Sequence, residues 1–169
     1  MPIQFVYTNN DLIGSKIISY ATKLEGQDRI EVPSHFSIVV YEWLVIESTL
    51  TTGVRFDHIT KFKERNRILK VFSPESDAKE YFKRAKEMTY KIYKKRYDFL
   101  GAIYLGIFQL LNTHFGIKMP KKNRFDSGKR FFCNELYSFI TGEEMSMTHP
   151  NDLMIEMDNN ENFIEGSLE

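Results

Sequence analysis

An α+β domain with a small antiparallel sheet is what this sequence predicts, and three observations carry that expectation. Strand-like runs come as a block instead of alternating with helices: one strand, one helix, four strands, then helices. Two of those runs, "HFSIVV" and "LVIEST", are rich in branched residues and lie three residues apart, like the arms of a hairpin. Finally, 169 residues with 42% hydrophobic content suffice for one full core, so residues 1–169 are expected to form a single domain.

The elements follow in order. "IQFVYT" opens the chain as a strand of aromatic and branched residues. "NNDLIGSKIISYATK" is a helix, with Asn9 or Asn10 at its cap and Leu12, Ile13, Ile17 and Ala21 on one inward face. "LEGQDRIEVP" is a polar loop. The hairpin turns near Tyr41–Trp43, Gly53 breaks its second arm, and "VRFDHI" and "RILKVF" supply two further strands. "SPESDAKEYFKRAKEMTYKIYKK" starts with Ser, Pro and acids and ends in bases, the polarity that a helix dipole favours. "YDFLGAIYLGIFQLL" predicts a mostly buried helix whose glycines permit close packing, and "GIKMPKKNRFDSGK" a loop. "FCNELYSFITG" is a short helix with Leu136, Phe139 and Ile140 inward and Gly142 as its C-cap. "THPNDLMIEM" begins a last helix capped by Thr148, and "NFIEGS" is a final strand.

Net charge is zero, but it is unevenly spread. All 23 Lys and Arg lie at or before Arg130, against 14 acids there, so the first 130 residues carry +9 and the remainder nine acids without a base. The basic 61–130 region is either a solvated face balanced by an acidic tail or a field for an anionic partner. No zinc-finger spacing, phosphate loop or nucleic-acid motif accompanies it, so nucleic acid is not expected as a partner. A single cysteine forms no internal disulfide, and the N-terminus lacks the basic start and apolar run of a secretory signal. The longest apolar stretch, thirteen residues, is too short for a bilayer. Together these predict a soluble, cytoplasmic protein without a transmembrane segment. His58, His114 and His149 have no metal-ligand spacing, so no metal or other cofactor is expected.

Three residues carry the possible chemistry. Cys133 stands at a predicted helix start, where unpaired N–H groups and the helix dipole favour a thiolate. Lys129 and Arg130 would add to that field if turned inward. His35 opens the strand "HFSIVV", and Glu47 lies on the next strand at a similar distance from the turn, so the two are expected as cross-strand neighbours. A carboxylate beside an imidazole fixes its tautomer and raises its basicity, which completes a Cys-His-acid triad. Each residue also has a plain alternative: a buried Cys packs as a small hydrophobe, and a His ends a strand. Glu47 is the odd one, because a carboxylate in an apolar strand needs a partner.

"SHFSIVV", "VIESTLTTGV", "YDFLGA" and "RFFCNELYSF", in that order, resemble the circularly permuted branch of the NlpC superfamily of papain-like cysteine hydrolases. That branch holds YiiX-type proteins, related poxviral proteins and the lecithin:retinol acyltransferase group. "YTNNDLIGSKIISYATK" and "THPNDL" are similar to its lead-in and trailing segments, so the resemblance runs from about Ile3 to about Leu153. It implies a small antiparallel sheet packed on the cysteine helix and a triad of Cys133, His35 and Glu47. It also implies that Tyr97 lends a hydroxyl near the nucleophile, for substrate or oxyanion binding. Asn134 departs from the usual Ser, and Glu47 replaces the His of the acyltransferase group, which fits the YiiX-type proteins better. The implied activity is hydrolysis of a peptide, amide or lipid-ester substrate through an acyl-enzyme. A lipid acyltransferase on the same thioester, or a catalytically silent binding or structural protein, are the alternatives.

Overall fold

The computed structural model describes residues 3–11, 13–22, 28, 31–49, 51–92, 95–120, 130–131, 133–143 and 148–168. Its elements are β1 (Ile3–Asn9), α1 (Ile13–Thr22), β2 (His35–Val40), β3 (Leu44–Thr49), β4 (Gly53–His58), α2 (Ile59–Arg65) and β5 (Arg67–Pro74). They continue as α3 (Ala78–Ile92), β6 (Arg96–Tyr97), α4 (Phe99–Phe115), β7 (Arg130–Phe131), α5 (Cys133–Thr141), α6 (Pro150–Asp158) and β8 (Phe163–Glu165). Six strands form one sheet in the order β4-β3-β2-β1-β5-β8, every neighbouring pair antiparallel. β6 and β7 make a separate parallel pair. The α+β class and the antiparallel sheet are therefore as the sequence predicts.

Both faces of the central strands are covered, which explains why β1 and β2 are buried at nearly every position. Phe5, Tyr7, Phe36, Ile38, Val40, Ile46 and Phe72 face the larger cluster, closed by side chains of α3, α5 and α6 such as Met88, Leu136, Ile140 and Met157. Its aromatic rings meet mostly edge to face, as Phe36 does with Tyr137 at 6.0 Å between centroids. Val6, Val39, Val45 and Val71 face the other way, against Ile59 and Phe62 of α2. In α5, Leu136 and Ile140 are fully buried, Phe139 packs at the edge of the cluster, and Gly142 ends the helix with φ 83°, each as expected.

Several expectations are corrected. The inward face of α1 is polar: Ser15, Ser19 and Thr22 are buried while Ile17 is 63% exposed. The physical reason is a set of hydroxyl bonds, Ser15 to Asn9 Oδ1 and Ser34, and Ser19 to the Val32 carbonyl. Leu12 and the side chains of Ile13 and Ala21 lie outside the described residues, as do most of the loop after α1 and residues 121–129 with Lys129. α2, absent from the sequence prediction, is held at its start by His58, whose Nδ1 accepts from Thr60 N. His149, not Thr148, is the N-cap of α6. Tyr97 belongs to β6, and α4 begins after Asp98, whose Oδ1 accepts from Gly101 N. α4 is not mostly buried: Phe99, Leu100, Ile103, Ile107 and Leu110 are exposed.

Candidate active site

The β2–β3 hairpin sets the first pair of groups. Tyr41 and Glu42 take left-handed φ values of 60° and 69°, and the pairing is symmetric about Glu42, with Val40 opposite Leu44 and Ser37 opposite Glu47. His35 and Glu47 are cross-strand neighbours, as expected, in a diagonal relation: they share a face and stand two positions apart. The glutamate side chain spans that offset, and His35 Nε2 and Glu47 Oε2 lie 3.0 Å apart. Occupying Nε2 in this way leaves Nδ1 as the ring nitrogen open to a second partner.

Glu47 is 2% exposed and is held by more than the imidazole. Its Oε1 accepts from Arg55 Nε at 2.9 Å and pairs with Arg55 Nη2 at 2.7 Å, and Arg65 Nη2 reaches the same oxygen at 3.3 Å. Arg55 stands directly opposite Glu47 on β4, and Arg65 comes from the end of α2, where it also pairs with Asp57. Burial pushes the Glu47 pKa up, but the hydrogen bond and charge of His35, followed by those of Arg55, outweigh it and bring it from 4.5 down to about 2. This is a carboxylate fixed as an anion on both oxygens.

Cys133 is the first residue of α5, 6% exposed, and α5 packs on β2 and β3. Burial alone would lower the His35 pKa, but hydrogen bonds to the Cys133 sulfur and to Glu47 outweigh it and raise it from 6.5 to about 10. His35, Glu47 and Cys133 are thus neighbours: His35 bonds Glu47 directly, and Cys133 lies near enough to the ring to help raise its pKa. Asn134 adds a contact that its sequence position did not reveal. Its Nδ2 donates to the Thr148 carbonyl, which turns Oδ1 toward Cys133 Sγ at 3.5 Å.

Tyr97 is delivered by β6. The parallel pairing of Tyr97 with Phe131 sets it beside the chain two residues before Cys133. Burial and the adjacent Cys133 raise its pKa, so the phenol keeps its proton and remains a donor. Tyr7, from β1, is also close enough for Cys133 to raise its pKa, after burial and Tyr137, and its hydroxyl donates to Met157 Sδ at 3.1 Å. The other histidines stand apart: His58 caps α2, and burial lowers the pKa of His149 to about 4. The side chains of Arg130 and His114 lie outside the described residues.

A glycine fixes where β6 lies. Gly53 has φ 69°, and Val54 N donates to the Lys95 carbonyl at 2.9 Å, so the two backbones nearly touch. A Cβ at position 53 would overlap that carbonyl oxygen. Gly53→Ala is expected to cost about 1–3 kcal/mol by thermal unfolding, through the left-handed φ and displacement of the 95–97 segment. An unchanged melting temperature would mean that this approach has slack.

Comparison with protein-family models, curated proteins and solved structures finds no match for this chain.

Proposed function

We propose that the chain is a cysteine hydrolase of the permuted papain-like, NlpC-type fold, cleaving an amide or ester through an acyl-enzyme on Cys133. The observation that carries this reading is the His35 ring, held at Nε2 by an ionised, buried Glu47 and near enough to Cys133, at the start of α5, for the sulfur to help raise its pKa. The same order of motifs in the sequence supports it. His35 takes the thiol proton and the sulfur attacks the substrate carbonyl; the Cys133 backbone N–H, at the helix start, and the Tyr97 hydroxyl donate to the oxyanion. Protonated His35 then gives its proton to the leaving amine or alcohol, and water, deprotonated by the same ring, releases the acid. Glu47 stays ionised throughout and holds the tautomer. A lone thiol that needs no disulfide suits a reducing cytoplasm. Acyl transfer to an acceptor other than water is the second reading, favoured by the apolar helix that begins two residues after Tyr97.

The test uses the fact that Cys133 is the chain's only thiol, so alkylation reports on it alone. Iodoacetamide is expected to modify the wild type at pH 6 at least about tenfold faster than His35→Ala, because only the wild type has an imidazolium beside the sulfur. Equal, slow rates in both proteins would make Cys133 a packing residue and end the hydrolase reading.

A further inference from the structure

α4 is an apolar helix in the wrong place for a core. From Phe99 to Ile117 no side chain is an acid, Lys or Arg, yet among its described residues only Gly101 and Leu105 are buried. Phe99, Ile103, Ile107 and Leu110 recur every three or four positions along one face and are 42–52% exposed. Leu100 on the first turn, and Phe115 and Ile117 at the far end, extend the apolar surface. α1, which packs on α4, adds exposed Ile17 and Tyr20. A helix that is apolar on all sides is ordinarily enclosed, and an apolar patch of this extent marks something that covers it.

Charge decides what the cover is. Arg96 and Lys118 are exposed at the two ends of the helix, and in sequence Lys118, Lys121, Lys122 and Arg124 follow before the next acid, Asp126. A second copy packed on this face about a two-fold axis would meet the same apolar stripe with the same basic flanks, and α4 itself carries no acid to pair with them. An anionic lipid surface matches both features, since it accepts apolar side chains at the acyl boundary and basic ones among the headgroups. Length sets the orientation: no helix among the described residues is long and apolar enough to cross a membrane, and seventeen residues rise only about 25 Å against a hydrocarbon core of about 30 Å. The helix would lie along the surface.

We propose that the exposed apolar face of α4, flanked by Arg96 and Lys118, docks the protein on an anionic lipid bilayer. The docking itself is independent of chemistry at the thiol.

Flotation of the full chain with vesicles tests this. Vesicles of phosphatidylcholine with phosphatidylserine are expected to carry the protein at low salt, with binding weakened about fivefold or more for each flanking base replaced, as in Lys118→Glu. Raising the salt should release it, and phosphatidylcholine alone should not retain it. Ile103→Asp with Ile107→Asp, at exposed positions, should reduce vesicle binding at least tenfold while circular dichroism and melting temperature stay near wild type. Absence of flotation with the anionic vesicles would overturn the proposal. So would equal binding to neutral vesicles, or a concentration-dependent dimer in sedimentation that the paired Asp substitutions dissolve. None of these readouts depends on turnover, so failure here leaves the hydrolase reading standing, and the reverse.

Discussion

Cys133→Ser is expected to reduce turnover of an activated ester by about a thousandfold or more and to remove any acyl-enzyme from the intact-mass spectrum. The magnitude follows from what the substitution deletes. No second thiol exists to substitute for Cys133, and a serine hydroxyl gives up its proton far less readily than a thiol to the same imidazole. Stability should barely move, because the side chain differs by one atom and sits at the margin of the core, 6% exposed, so a cost of about 1 kcal/mol or less is expected. The two readouts separate chemistry from structure. A Cys133→Ser protein that melts several degrees lower with its esterase activity retained would place the sulfur in the core and the chemistry elsewhere. His35→Ala should show the same loss of turnover while leaving the thiol present, which distinguishes removal of the nucleophile from removal of its base.

The parts of this site that the sequence disclosed are those encoded locally. α5 declared itself through Leu136, Phe139, Ile140 and the closing Gly142, and with it the position of Cys133 at a helix start. The hairpin was visible in two branched runs around a short turn, and Glu47 betrayed itself as a carboxylate among apolar residues. The turn's position tells that His35 and Glu47 are neighbours but not that they are diagonal: that follows only from pairing about Glu42, which sets Glu47 opposite Ser37. The same symmetry applied to the next hairpin would have found Arg55, since Thr49 opposite Gly53 requires Glu47 opposite Arg55.

Arg65 had no such signal. It depends on α2, a seven-residue helix with two buried apolar positions, Ile59 and Phe62, too short for periodicity to resolve. β6 and β7 are two residues each and arise from long-range pairing, so the local pattern places Tyr97 in the adjoining helix. α1 and α4 mislead in opposite ways. In α1 the buried serines are satisfied by Asn9, Ser34 and Val32, partners that no helical period encodes. In α4 the apolar composition predicts a helix correctly, but what covers its face is not a property of the helix.

Glu47→Gln is expected to destabilise the protein at neutral pH by about 3 kcal/mol and to flatten the acid limb of its stability profile. The folded-state pKa of Glu47 is lowered, to about 2 from 4.5, so its contribution is complete above pH 4.5 and is lost as pH falls toward 2. In that window the unfolded chain binds the proton more readily than the folded one, and stability must fall with pH. The glutamine variant has no such proton to bind, so its excess destabilisation should shrink across the same interval, read by urea unfolding at successive pH values. The cause is visible in the geometry: Oε1 is shared by Arg55 and Arg65 while Oε2 holds His35, and a neutral amide leaves those cations without their buried counter-charge. Arg55→Gln separates the two duties of the carboxylate. It should lower stability while Oε2 still holds His35, so alkylation of Cys133 at pH 6 should remain close to wild type. If Arg55→Gln and Glu47→Gln slowed alkylation equally, the arginine would act through the imidazole as well, and the division of labour between the two oxygens would be wrong.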